Sequence, residues 1–133
     1  MCIEFKVIFK GGTKDLLILT EDLAAKGVNL ATIAMEKAAG VISLRFYPSN
    51  IEGARESLKE VEVQFTEKEV LLIEVEDRLG QYATIARKLH GAGVEIVASH
   101  VMTTKGDKMW LVFEVDNIDA GKRVLSDQLV EVE

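Results

Sequence analysis

A pattern of apolar residues recurs along this 133-residue chain at a spacing of about 66 positions, and no other feature limits the possible folds as strongly. Identity between the halves is slight, so the pattern itself carries the reading. Phe5, Val7 and Phe9 alternate with Lys6 and Ile8, and Leu71, Ile73 and Val75 alternate with Leu72 and Glu74. Period-two alternation of this kind marks a strand with one buried face. Each strand runs into a short loop, Gly11-Gly12-Thr13-Lys14-Asp15 in one half and Asp77-Arg78-Leu79-Gly80-Gln81 in the other. A helical stretch follows, with Leu16, Leu19 and Leu23 matched by Tyr82, Ile85 and Leu89 on one face. Gly27 and Gly93 then stand where a helix closes on a left-handed residue. Thr13 is the expected cap of the first helix, with Asp15 facing the positive end of its dipole.

Two more strands are expected in each half, at 29–37 and 41–47, then at 95–103 and 108–115. Ile42, Leu44 and Phe46 correspond to Met109, Leu111 and Phe113 one residue out of step, and the extra residue falls in the intervening turn. Asn50 and Asn117 are natural N-caps of a second helix, each followed by an acid in the first turn. Val61 and Val63 mark a closing strand, Leu129–Glu133 its counterpart, and residues 64–68 a polar link.

The order is βαββαβ, twice. The fold class is therefore α+β: two ferredoxin-like repeats, residues 1–66 and 67–133, with antiparallel sheets and helices on one face. A unit of about 65 residues buries only about 60% of its unfolded surface, so the repeats are expected to support each other. Residues 28–35 carry no charge, and 94–103 carry only Glu95 and titratable His100. Unprotected edges of this kind invite pairing, so the two segments are expected to abut and join the sheets side by side into one larger sheet. On the face away from the helices, Glu4, Lys6, Ser43 and Arg45 suit water, whereas Val70, Leu72, Trp110 and Val112 do not. That apolar set predicts a homodimer through the open face around Trp110.

Composition excludes several classes. The chain is 48% hydrophobic and 29% charged, which is globular. No apolar run approaches the roughly 18–20 residues of a membrane span, and Met1–Lys10 lacks the core of a signal peptide. One cysteine, Cys2, excludes an internal disulfide and a multi-thiolate metal site, and a cytoplasmic location is expected. The net charge is −6: residues 1–66 hold 8 Lys and Arg against 9 Asp and Glu, and residues 67–133 hold 8 against 13. Such an acidic balance argues against nucleic-acid and anionic-membrane partners.

Topology alone does not choose among βαββαβ families. The aromatic stacking strands of an RNA-recognition module, the Cys-x-x-Cys of a metal chaperone and the arginine cradle of an acylphosphatase are all missing. The run Leu71-Leu72-Ile73-Glu74-Val75-Glu76-Asp77-Arg78-Leu79-Gly80-Gln81, then Gly91-Ala92-Gly93-Val94-Glu95-Ile96, resembles the ACT domain. That family's pattern is a strand, Asp-Arg-Pro-Gly, a helix, then Ala-Gly-Val/Ile-Asn-Ile. The resemblance is clear over 69–127 and degenerate over 3–65, and Leu79 stands where proline is usual.

The resemblance implies a non-catalytic regulatory protein that holds a small ligand, commonly an amino acid, between two copies. It places one complete site on Asp77, Arg78, Leu79, Gly80 and Gln81 together with Val28, Asn29 and Leu30. A second, altered site pairs Gly11, Gly12 and Thr13 with Glu95, which replaces the usual asparagine. Asp77 is read either as partner of a ligand ammonium or as a helix cap, and Asn29 either as a ligand contact or as a partner for turn backbone. No nucleophile or acid–base pair with an orienting partner is legible, and His90 and His100 are read as structural, so neither an enzyme, a cofactor nor a metal is expected. Two alternatives accompany this reading: a ligand-free assembly module, and a regulatory subunit acting in trans on a separate metabolic enzyme.

Overall fold

The computed structural model describes residues 1–30 and 32–131. The chain divides into two compact units, an N-terminal unit of residues 3–68 and a C-terminal unit of residues 1–2 and 69–133.

In the N-terminal unit, β1 (Cys2–Lys10) leads into α1 (Thr13–Ala25), then β2 (Ile33–Ala38), β3 (Val41–Phe46) and α2 (Ile51–Glu60). β3 lies between β1 and β2, antiparallel to both, with Phe5 opposite Phe46 and Val7 opposite Leu44. The next strand, β4 (Gln64–Glu76), neighbours β1. Phe5, Val7, Leu44 and Phe46 meet Leu19, Leu23, Ala54 and Leu58 from the helices in one core, joined by Val63 and Phe65. The rings of Phe5 and Phe65 stack at 6.0 Å. Each such side chain contributes about 1.5–3 kcal/mol on burial, which fixes the helices to one face of the sheet.

In the C-terminal unit, the later part of β4 is followed by α3 (Gln81–Gly91), β5 (Ile96–Lys105), β6 (Lys108–Val115) and α4 (Ile118–Val124). β6 lies between β4 and β5, antiparallel to both, with Ile73 opposite Leu111 and a register shift between Val101 and Thr103. Leu71, Ile73 and Val75 pack with Ile85, Leu89, Leu111 and Phe113 in the second core. Each unit is thus α+β with the ferredoxin-like arrangement. Asn50 and Asn117 cap their helices as expected, accepting from Gly53 N–H and Ala120 N–H at 3.0 Å each. Gly27 and Gly93 are left-handed, with φ of 76° and 72°.

Five expectations are corrected. Residues 64–68 are not a link: β4 runs unbroken for 13 residues, because Phe65 has a core to face and no turn residue interrupts the strand. The closing strand of the second repeat is reduced to one bridge between Leu129 and Ile73, while Val132 and Glu133 lie outside the described residues. β2 starts at Ile33 rather than Asn29, and within the expected span Ala31 lies outside the described residues. Among the described residues β2 has β3 and β5 has β6 as its neighbour, so the expected pairing of β2 with β5 is not made. Glu4 is not in water either: it is only 3% exposed and bonded to Arg45 at 3.1 Å and to the Tyr47 hydroxyl at 2.8 Å.

The apolar patch expected around Trp110 is likewise altered. Val70, Leu72 and Val112 are buried, and only Trp110 is partly exposed. Of that patch, Trp110 is the residue left at the surface.

Candidate functional site

The loop Asp77–Gln81 lies in the C-terminal unit, where β4 gives way to α3. Asp77 N–H donates to the Asp107 carbonyl at 2.7 Å, which pins the loop to the β5–β6 turn. Gly80, at φ 87°, is the N-cap residue of α3. This left-handed backbone is one that glycine adopts without strain. It offers no side chain to the first turn, so the amides there are left open. Thr84 uses the Gly80 carbonyl through both its N–H (3.0 Å) and its hydroxyl (3.1 Å). Gln81 N–H reaches only the Arg78 carbonyl at 3.4 Å, and among the described residues Tyr82 and Ala83 N–H have no acceptor. A helix start with open N–H groups favours an anion.

The side chains of the loop divide into committed and free. Arg78 lies against Glu76 at 3.2 Å, and with the Gln81 amide turned oxygen-first it donates to Gln81 from Nε at 2.7 Å and Nη2 at 3.1 Å. Asp77 is not the cap of α3; among the described residues its carboxylate has no hydrogen bond or ion pair. Leu79 is fully exposed.

The first loop closes on itself. Gly12, not Thr13, is the N-cap residue of α1, and Asp15 Oδ2 accepts from Gly12 N–H at 2.9 Å. Gly11 holds φ 147° with its N–H on the Gly40 carbonyl at 3.3 Å, and a Cβ there would stand 2.2 Å from the Asp15 carboxylate. Thr13 is exposed in the first turn. The degenerate repeat thus covers its helix start with its own acid, whereas the better-matched repeat leaves its helix start open.

Val28, Asn29 and Leu30 lie in the N-terminal unit just after α1. Val28 is buried and donates its N–H to the Leu23 carbonyl at 3.0 Å, and Leu30 packs against the core. Asn29 does not serve the turn backbone. Asn50 does, donating from Nδ2 to the Lys26 carbonyl at 3.0 Å, and the exposed Asn29 amide is free among the described residues. Glu95 is exposed in the C-terminal unit, with its N–H on Asp116 Oδ1 at 3.0 Å.

Other polar contacts were not legible from spacing. The Tyr82 hydroxyl meets the Ser99 hydroxyl at 2.6 Å, at the exposed end of α3. Buried Ser57 donates to Asp22 at 2.5 Å, and Lys26 joins Asp22 to Glu60, tying α1 to α2. The Ser57 hydrogen bond, then Lys26, hold the Asp22 carboxyl below its ordinary value. Among the described residues no three His, Cys, Asp or Glu side chains are grouped to hold a metal ion. No helix there is long and apolar enough to cross a membrane.

No family model and no curated protein matches this chain. Solved structures do. Protein BT0572 from Bacteroides thetaiotaomicron superposes with a TM-score of 0.89 at 22% identity, over 98% of this chain and 92% of the other. The regulatory subunit of aspartate kinase from Thermus thermophilus, in a ligand-free form, gives 0.67 at 12% identity over 96% and 91%. The corresponding subunit from Thermus flavus gives 0.59 at 11% over 95% and 91%. At these identities the likeness is one of fold, and the fold is ACT-like.

Proposed function

We propose that this chain is a non-catalytic regulatory module that binds a small molecule of the amino-acid class. One observation carries the reading: the free Asp77 carboxylate stands in the same short loop as the open N–H groups at the start of α3. A carboxylate on a helix start and an ammonium on an acid are the two polar ends of an amino acid. The reading assigns contacts to Asp77, Arg78, Leu79, Gly80 and Gln81, and to Val28, Asn29 and Leu30, whose one polar side chain is also free. Gly11, Gly12 and Thr13 form the weaker candidate, since Asp15 already occupies that helix start. The regulatory role is supported by fold: two of the structures it resembles are regulatory subunits of aspartate kinase. A ligand that favours one arrangement of the chain transmits that preference, in trans, to whatever enzyme reads it.

Thermal melts against the twenty amino acids test the proposal. A ligand at 100 times its dissociation constant adds about 2.7 kcal/mol. Asp77→Ala and Asn29→Ala are each expected to shrink the shift. Absence of a shift with every amino acid sinks it.

A second reading, self-assembly without ligand, is favoured by the outer strands. β2 is exposed along its whole length and carries Ile33 and Met35, and β5 exposes Val97 and Val101. Edges of this composition pair with further strands. A monomeric mass by light scattering at micromolar concentration rejects this reading.

A further inference from the structure

We propose that the open face of the C-terminal unit carries a second binding site, for a planar aromatic anion whose ring stacks on Trp110 and whose anionic group lies between Lys105 and Lys108. A cavity of about 340 Å³ is lined there by Glu74, Thr103, Lys105, Lys108 and Trp110. All five belong to one sheet in two adjacent rows. Glu74, Trp110 and Thr103 stand opposite one another across β4, β6 and β5, and Glu76, Lys108 and Lys105 form the next row toward the turn. Rows two residues apart along a strand are separated by about 6.8 Å, the distance from a ring to an acid group on a short spacer.

The ring is held in place. Trp110 Nε1 donates to Glu74 Oε2 at 2.8 Å, so the indole is fixed while part of its surface stays exposed. An indole face of this kind stacks on another aromatic ring. The lysines, by contrast, face each other uncompensated. Lys105 and Lys108 are directly paired in register, an arrangement of like charges that destabilises a sheet. Acids are close in sequence and register, yet among the described residues none forms an ion pair with either lysine. Glu76, opposite Lys108, pairs with Arg78, Glu74 takes the indole N–H, and Asp107 lies in the turn. Two unpaired cations persist in the half of the chain that carries 13 acids against 8 bases. An anion set between them removes their repulsion, and lysine accepts carboxylate or phosphate equally as a point charge. The exposed Thr103 hydroxyl gives a further donor at the rim.

Trp110 is the single tryptophan of the chain, so its fluorescence, excited at a wavelength the probes do not absorb, reads this site directly. AMP and phenylacetate are the probes, with adenosine and inorganic phosphate as the separate halves of AMP. The expected result is saturable quenching by AMP, by phenylacetate or by both. Quenching by AMP alone makes the anion a phosphate, and by phenylacetate alone a carboxylate. The halves are expected to bind at least about 10-fold more weakly, as is either probe to the Lys105→Ala/Lys108→Ala double variant, whose changes lie at exposed positions. Asp77→Ala is expected to leave the quenching unchanged, which keeps this site separate from the amino-acid proposal. Quenching that rises linearly without saturation, equal affinity in the double variant, or loss of binding on Asp77→Ala overturns the inference.

Discussion

Asp15 accepts a hydrogen bond from the backbone N–H of Gly12 at 2.9 Å, and so closes the start of α1 with the chain's own charge. Asp77 precedes α3 in the equivalent loop of the other repeat and has no such partner. Asp15→Ala is therefore expected to cost about 0.5–1 kcal/mol, the usual cost of losing a helix-start contact, while Asp77→Ala stays within about 0.5 kcal/mol of the parent. Urea unfolding midpoints at constant slope measure both. A larger loss at Asp77 would show that its carboxylate has a structural partner.

Asn50 uses both ends of its amide, accepting from Gly53 N–H and donating to the Lys26 carbonyl, whereas among the described residues the Asn117 side chain makes only the cap to Ala120. Asn117→Ala is expected to cost about 1 kcal/mol. Asn50→Ala leaves a second backbone group without its partner and is expected to cost about 1 kcal/mol more. Calorimetric melting of the two variants side by side gives the order.

Gly53 lies buried in α2, where alanine ordinarily stabilises a helix by up to about 1 kcal/mol. Here a Cβ would stand 2.6 Å from Asn50 Nδ2 and 2.9 Å from the Lys26 carbonyl oxygen. Gly53→Ala is expected to destabilise by about 1–3 kcal/mol, against propensity. A variant more stable than the parent would show that the Asn50 side chain moves aside at little cost.

Acid is expected to weaken the N-terminal unit. Asp22 titrates below its ordinary value, chiefly through Ser57 and then Lys26, and Glu67 does so through Arg55. A carboxylate whose folded pKa is depressed gives its stability above the unfolded value of about 4, and loses it as pH falls through the lower folded value. Melting temperature is expected to hold from about pH 5 to 8 and to drop below about pH 4, with a shallower acid limb in Ser57→Ala. On the basic side Lys26 titrates above its ordinary value, first through Glu60 and then Asp22, so its contribution is complete below about pH 10 and is lost as pH rises through the raised value.

Much of this was legible in the sequence where local chemistry decides structure. The two asparagine caps, the left-handed Gly27 and Gly93, and the alternation of Phe5–Phe9 and Leu71–Val75 each depend on residues close in the chain. What could not be read depends on distant partners. The burial of Glu4 needs Arg45 and Tyr47, some 40 positions away, and no alternation rule prices such a pairing. The polar composition of 64–68 reads as a link, but Phe65 meets Phe5 and the strand continues. In the candidate loop, sequence indicated Asp77 and Gly80 but not which loop keeps its helix start open. That difference rests on Asp15, whose carboxylate reaches back to the N–H three residues before it.

The first two residues group with 69–133 rather than with the repeat that they open, and the Met1 ammonium stands 3.9 Å from Glu131. An affinity tag fused ahead of Met1 would consequently perturb the far repeat first. For the same reason a gene cut at the midpoint yields a back half lacking two of the residues that group with it.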